Sequence, residues 1–314
     1  MAKKLNGEII SADSRQVYRK LDIGTSKEGV TKELRIRNKE LGIKSENLAL
    51  KQIKQNARYI DKIPQYMIDV AGPGDKFTLF DWLDGAKLAI EDIFSRGKTP
   101  IVVGGTGLYV QSLVEGFEHQ NQKPETRNQN KKIKIKKFSR QELDKKQLEE
   151  LQNIYSKFEI RNSKLDLNNP RRLIRAIELA QEGINPTKNK PDFEVLQIGI
   201  TLDRKDLYKK IDGLVDEWFE RGFSEEVRNL LEEGVLPEWL NQIGLEYRIM
   251  SQYLLQENQN DEELNKMKQE MKFAIHHYAR RQLTWFRRFE EIAWVENKEQ
   301  ALNLAKQFLK STIN

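Results

Sequence analysis

The 314-residue chain contains no cysteine, which excludes a disulfide framework, a thiolate metal site and a cysteine nucleophile. No apolar run approaches the roughly 18 residues a membrane helix needs, and Met1 to Gly7 has no signal-peptide hydrophobic region. The expectation is a cytoplasmic protein that neither spans a membrane nor is secreted. A third absence lies at the start. In a nucleotide-type fold a glycine-rich phosphate loop precedes a strand like the one beginning at Gly7, and the six residues before it hold no such loop. What is present is globular in kind: 38% hydrophobic and 32% charged residues, enough for one large core or two smaller ones.

The net charge of +6 is concentrated in one place. Ten Lys or Arg lie between Lys123 and Lys146 against Glu125, Glu142 and Asp144, a local surplus exceeding that of the whole chain. Such a run is either a solvated charged face or a surface for a phosphate backbone.

Apolar periodicity predicts an α/β class. Glu8 to Ala12 reads as a buried strand, and Phe80 to Arg96 has helical spacing through Leu83, Ala86, Ala89, Ile90 and Ile93. From Pro100, PIVVGGTGLYV is a β-branched run broken by Gly104, Gly105 and Gly107 and followed by a helix over Leu108 to Leu113, a strand–turn–helix unit. Val195 to Leu202 is a third strand candidate for the same sheet. Glu118 to Asn169 is polar and basic without a convincing buried strand and reads as an insertion; Asn169-Pro170 then opens the helix RRLIRAIELAQEG. From Lys205 the pattern is mostly helical, with Gly213, Gly222 and Gly234 as breaks or caps and Lys266 to Arg288 as one long helix.

Four features bear on chemistry. Asp13, at the carboxyl end of the first strand, is a candidate general base, and Ser14, Arg15 and Gln16 behind it suit a base edge, a phosphate or a ring; alternatively Asp13-Ser14 only caps the next helix. The turn Gly104-Gly105-Thr106-Gly107 offers amides and a hydroxyl at a helix start, an anion site by geometry or simply a tight connection. Gly97-Lys98-Thr99 imitates the end of a phosphate loop, but the required earlier glycine is Asp92 and the tripeptide precedes a strand, so it is rejected. HHYARRQLTWFRRF interleaves Arg280, Arg281, Arg287 and Arg288 with Tyr278, Trp285, Phe286 and Phe289, which fits nucleic-acid contact or an amphipathic helix with solvated arginines. His276 and His277 are adjacent, so they face different sides of a helix, and no zinc site is proposed.

Taken together, ISADSRQVYRKLDIGTSK, IPQYMIDV with FTLFDW, IVVGGTGLYVQSLVEG, NNPRRLIRAIE, GFSEEVRNLL, IGLEYR and ARRQLTWFRR, in this order, resemble the tRNA dimethylallyltransferases, also called tRNA isopentenyltransferases. The resemblance spans nearly all of Gly7 to Phe289. It implies a P-loop kinase-like parallel sheet flanked by helices, in a core of residues 1–117 and 170–314, with a small, mainly helical tRNA-binding insertion at 118–169. It implies transfer of a dimethylallyl group from dimethylallyl diphosphate to the exocyclic amine of the adenosine 3′ of the anticodon. By likeness Asp13 takes the proton, Thr106 lies beside the reacting groups, and Arg228 faces the pyrophosphate with Gly104, Gly105 and Thr106. Asp13, Ser14, Arg15, Gln16, Arg127, Arg171, Arg172, Arg175, Gln242, Gly244, Tyr247, Arg248, Arg280, Arg281, Gln282, Trp285 and Arg287 fall on the family's tRNA-contacting positions. The implied partners are the tRNA anticodon stem-loop and dimethylallyl diphosphate, met by a monomer away from membranes, with Mg²⁺ as cofactor and no protein ligand identified for it.

The sequence departs from the family's pattern in three places. The family's GxxxxGK[ST] loop belongs just upstream of Met1, with Met1 to Asn6 as the end of the helix after it, so the expectation is a truncated copy of a full enzyme, either a late start-codon assignment or a real fragment, poorly soluble through exposed strand edges and helix faces. Gln65-Tyr66 stands where members usually have two histidines, and the insertion after Lys27 is longer and more charged. Two other readings stay open: a non-catalytic tRNA-binding remnant, and a prenyltransferase of free adenine nucleotides.

Overall fold

The structure, a computed structural model, describes residues 1–31, 48–118, 137–158, 165–182, 187–188 and 190–313. The backbone divides into two compact units, Met1–Val114 with Asp192–Asn314, and Glu115–Pro191.

Five strands of the first unit, β1 (Gly7–Ser11), β2 (Val30–Thr31), β3 (Arg58–Ile60), β4 (Ile63–Tyr66) and β5 (Thr99–Val103), form one sheet in the order β2-β3-β4-β1-β5. β1 is parallel to both neighbours, in register from Gly7 opposite Thr99 to Ser11 opposite Val103, while β2 and β3 continue antiparallel beyond β4. A parallel central strand is covered on both faces, and Glu8, Ile10 and Ser11 are buried accordingly. The register continues past the strand ends: Tyr18 bridges Ala71 in parallel, and the Asp69 and Ala71 amides donate to the Gln16 and Val17 carbonyls. This places QVY of the first motif against IDV of the second.

Helices α1 (Leu48–Gln55), α2 (Leu79–Ser95) and α3 (Gly107–Val114) belong to this sheet. α2 starts at a reciprocal capping box between Thr78 and Asp81 and buries Trp82, Leu83, Ala86, Ala89, Ile90 and Ile93, the spacing read from the sequence. It ends as Gly97 takes φ +66, a conformation glycine adopts without steric cost. Gly97-Lys98-Thr99 is therefore a helix exit running into β5. A 3₁₀ turn, Ala2–Lys4, precedes β1.

In the second unit a short antiparallel pair of β6 (Phe117–Glu118) and β7 (Thr187–Lys188) accompanies α4 (Arg140–Asp144), α5 (Leu148–Ser156) and α6 (Pro170–Glu182), which lie between them in the chain. Leu173, Ile174 and Ile177 of α6 share one core with Leu143, Leu151, Ile154 and Tyr155. The inserted unit thus runs to Pro191 instead of ending at 169, because the apolar face of RRLIRAIE is buried inside it. Most of the basic run, residues 119–136, lies outside the described residues, as does the insertion at 32–47.

The remainder of the first unit holds β8 (Ile198–Ile200), α7 (Arg204–Glu220), α8 (Phe223–Glu232), α9 (Pro237–Ile243), α10 (Leu245–Leu254), α11 (Asp261–Phe286), β9 (Ala293–Val295) and α12 (Lys298–Ile313). The third strand candidate forms, but it pairs in parallel with β9 in a separate two-stranded sheet. That corrects the expectation of a single sheet: a three-residue strand is too short to declare its partner locally. β5 is one of the two edge strands of the large sheet, with Val103 53% exposed, and Ile200 of β8 is 66% exposed. No helix among the described residues is long and apolar enough to cross a membrane.

Candidate active site

The carboxyl ends of β1 and β5 are stitched into one surface. The Ala12 amide donates to the Val103 carbonyl at 2.8 Å, and the Thr106 amide returns to the Ala12 carbonyl at 3.2 Å. Gly104 makes this approach possible: a Cβ there would stand 2.3 Å from the Ala12 carbonyl oxygen, a backbone atom that cannot yield. The Ser14 amide then donates to Thr106 Oγ1 at 3.0 Å, with the two hydroxyl oxygens 3.4 Å apart. Asp13 and Thr106, 93 positions apart in sequence, are so held on adjoining turns.

No helix follows Asp13. Its Oδ1 accepts the Arg15 amide at 2.8 Å and the Gln16 amide at 3.3 Å, closing a turn on the carboxylate's own side chain. The capping reading fails, because these bonds close a turn and no helix; they occupy one oxygen, and among the described residues Oδ2 has no hydrogen-bond partner. Beneath the turn, Trp82 is fully buried, donates its indole N–H to the Ser11 carbonyl at 2.8 Å and stacks on Tyr109 with ring centroids 4.6 Å apart. Ser11 Oγ donates to Gln16, whose amide nitrogen donates to the Thr25 carbonyl. Gln16 is thereby committed to the interior of the loop.

The rest of the first motif is fixed by charge. Lys27, its side chain entirely buried, reaches Asp69 at 2.6 Å and Asp22 at 3.1 Å, and Arg58 reaches the same two carboxylates at 2.7 and 2.6 Å. Two cations on two anions leave no unpaired buried charge, the condition under which such a network is tolerated. Glu226 of α8 accepts the backbone amides of Asp22, Ile23 and Gly24 and the hydroxyl of Tyr247. A second buried group lies at the opposite end of β1. Burial works to raise the pKa of Glu8, but hydrogen bonds from Arg96, Lys98 and Tyr66 outweigh it and hold the carboxyl at about 2. Tyr66, at the position where two histidines were expected, is pushed up by its burial and by Glu8, and is a permanent donor to that carboxylate.

α11 closes one side. Gln282 donates to the Gly105 carbonyl at 2.9 Å, and Trp285 lies against Gly107, where a Cβ would come within 2.3 Å of the indole. Arg280, Arg281, Arg287 and Arg288 face outward. Arg281 lies over Tyr278 and Arg288 over Trp285, and none of the four has a carboxylate partner among the described residues.

Asp13, Ser14, Gly104, Gly105, Thr106, Gln282 and Trp285 therefore assemble as one cluster, with Arg15 and Gly244 touching it. Because the Thr106 amide is spent on Ala12, the turn's remaining donors are the amides of Gly104, Gly105 and Gly107 and the Thr106 hydroxyl. Gln242 and Arg248 are exposed. Tyr247 corrects its expectation: it is fully buried and its hydroxyl is bound to Glu226, so its side chain serves the core and offers nothing to a nucleic-acid surface. Arg228 is exposed on α8 with Glu225 3.7 Å away, and no contact joins it to the cluster. Arg171, Arg172 and Arg175 are exposed on α6 of the second unit, and Arg127 lies outside the described residues. Glu226, Lys27, Trp82 and Tyr109 went unread. Their positions inside the quoted motifs were the available signal: Lys27 lies in the turn-forming stretch after β1, and Trp82, Tyr109 and Glu226 lie on α2, α3 and α8.

The family model of IPP transferases matches residues 49–289. The chain belongs to the IPP transferase family. Curated members similar to it include a tRNA dimethylallyltransferase 2 of Shewanella sediminis, 37% identical over 94% of this chain and 87% of its own length. A tRNA dimethylallyltransferase 2 of Bacteroides fragilis is 34% identical over 99% and 92%. Among solved structures, the tRNA isopentenylpyrophosphate transferase of Bacillus halodurans superimposes with a TM-score of 0.59 at 28% identity, covering 99% of this chain and 89% of that one. The tRNA delta(2)-isopentenylpyrophosphate transferase of Staphylococcus epidermidis gives 0.59 at 27%, covering 100% and 92%. Within this IPP transferase fold, the parallel strands β4, β1 and β5 flanked by helices are the part that carries the cluster, at the strand ends where open α/β sheets bind ligands.

Proposed function

We propose that this IPP transferase moves a dimethylallyl group from dimethylallyl diphosphate to the exocyclic amine of the adenosine 3′ of a tRNA anticodon. The observation that carries the reading is Asp13: a carboxylate at a central strand end, one oxygen fixed by the Arg15 and Gln16 amides, the other without a partner among the described residues, beside the Thr106 hydroxyl. An allylic diphosphate ionises once its leaving group is stabilised; we assign that task to the Gly104 and Gly105 amides and the Thr106 hydroxyl, and add Arg228 on the family likeness alone. The carbon–oxygen bond breaks with its electron pair on the diphosphate, the amine nitrogen bonds to the allylic carbon, and the nitrogen's proton passes to Asp13. An adenine amine is barely basic but acidifies as the new bond forms, so an ordinary aspartate suffices as acceptor. The base has to leave its stack, which an anticodon loop makes cheap.

The described residues contain no group of three or more His, Cys, Asp or Glu able to hold a metal. Mg²⁺ remains part of the proposal: if bound, it would neutralise charge on the diphosphate leaving group, and no step is routed through it. The outward arginines of α11, together with Arg171, Arg172 and Arg175, supply phosphate contacts, and Gln242 and Arg248 fall on exposed positions that suit the same use.

Incubation with unmodified tRNA and dimethylallyl diphosphate, then mass analysis of digested nucleosides, tests the reading. A prenylated adenosine from the anticodon loop is the expected product. Binding of tRNA without transfer would replace this reading with that of a non-catalytic remnant, and prenylation of free adenine nucleotides alone would move the activity to another substrate class.

A further inference from the structure

Arg15 stands beside the proposed proton acceptor, yet its side chain turns inward. Its NH1 donates to both carboxylate oxygens of Glu246 at 3.0 Å, in a pair where the Glu246 side chain is 3% exposed and that of Arg15 21%. The guanidinium lies over the ring of Tyr278, 5.1 Å from its centroid. Gly244 completes the socket by close approach: a Cβ there would stand 2.8 Å from Arg15 Nε and 3.0 Å from Glu246 Oε1. Burial works to lower the pKa of Arg15, but Glu246, Tyr278 and Asp13 together carry it above its ordinary value, so the group is a fixed charge. Burial pushes Glu246 up, opposed by Arg15. The same residue whose side chain is locked in this socket has its amide on Asp13 Oδ1.

We propose that Arg15 and Glu246 are a positioning pair: α10 holds Arg15, Arg15 holds the turn of residues 13–18, and the turn aims the second oxygen of Asp13. Arg15 acts through Asp13 and does not contact RNA. The alternative, that Arg15 is a phosphate or base contact, requires a charge that is free to meet one, and this one is already neutralised by a nearly buried carboxylate. The role in transfer rests on the function proposed above; the ordering of the turn does not.

The test compares the full chain with Glu246→Gln, which keeps the shape and removes the charge, and with Gly244→Ala, which pushes the guanidinium aside while leaving both charges. Hydrogen exchange by mass spectrometry over residues 13–18 reads the turn, tRNA affinity reads RNA contact, and prenyl transfer reads aim. The expected result is cooperative melting of both variants, exchange across the turn about tenfold faster, tRNA affinity and KM for tRNA within about twofold, and kcat lower by about tenfold or more, since small misplacements of a catalytic group are costly. Unchanged exchange overturns the proposal. So does a fall in tRNA affinity with kcat preserved, which would make Arg15 an RNA contact. Should Glu246→Gln fail to fold, Gly244→Ala decides by the same readouts. If the unsubstituted protein transfers no prenyl group, the functional reading fails, and the exchange measurement still decides whether the pair orders the turn.

Discussion

Two parts of the first unit carry similar residues in opposite states. In the loop of residues 11–27, Asp13, Arg15, Gln16, Asp22 and Lys27 each have a named internal partner, and the cations are matched by carboxylates from α10, from the loop after β4 or from the loop itself. On and just beyond the carboxyl end of α11, Arg280, Arg281, Arg287 and Arg288 have no such carboxylate among the described residues, and three of them rest on a histidine or on aromatic rings. Arginine alone therefore says little about role. Its surroundings separate a residue that fixes geometry from one that waits for a polyanion.

Breaking the pinned side should cost stability. Lys27→Met leaves Asp22 and Asp69 with only Arg58, and removing one member of a buried ionic network typically costs about 3–5 kcal/mol; chemical denaturation of the purified variant measures it. Gly104→Ala drives a Cβ into the Ala12 carbonyl, so a loss of about 1–3 kcal/mol is expected, with the two strand ends prised apart.

Acid probes a second pinned group, at the opposite end of β1 from the loop. The carboxyl of Glu8 sits at about 2 in the folded protein against an ordinary 4.5. A depressed folded pKa contributes stability that is complete above about pH 4.5 and is lost as pH falls towards about 2. Glu8→Gln should therefore flatten the acid limb of a Tm-against-pH profile over that window while leaving its shape near neutrality unchanged. An identical acid limb in the variant would show that Glu8 does not govern it.

The open side should respond in a different currency. Arg281→Ala or Arg287→Ala is expected to leave Tm nearly unchanged and to reduce the slope of log affinity for tRNA against log salt by about 1 each. A stability loss like that of Lys27→Met would show that these arginines belong to the pinned class after all.

Much of the fold was legible because its signals are local. α2 announces itself by a helical apolar spacing, its Thr78–Asp81 capping box being supplied by the structure, and β1 and β5 by β-branched runs that end in an acid and a glycine turn. The Asp13–Thr106 cluster was legible in its members and only the structure supplies its stitching. Three things were not. The Lys27–Asp69 and Arg58–Asp22 pairs span 42 and 36 positions, and nothing in either segment names the other. β8 reads as a strand, but its partner β9 begins only at Ala293, far downstream. Tyr247 and Arg15 look like surface contacts in a motif and prove to be interior, because burial depends on α8, α10 and α11 converging on the loop.

The central claim is that Asp13 accepts the proton through the oxygen that the turn leaves unused. The direct measurement is dimethylallyl transfer to unmodified tRNA by Asp13→Asn beside the unsubstituted chain, with Tm recorded for both. Asparagine keeps an oxygen to receive the Arg15 and Gln16 amides, so Tm should be nearly unchanged while the transfer rate falls by about 10²–10⁴-fold. Transfer at the unsubstituted rate with an intact fold would contradict the claim.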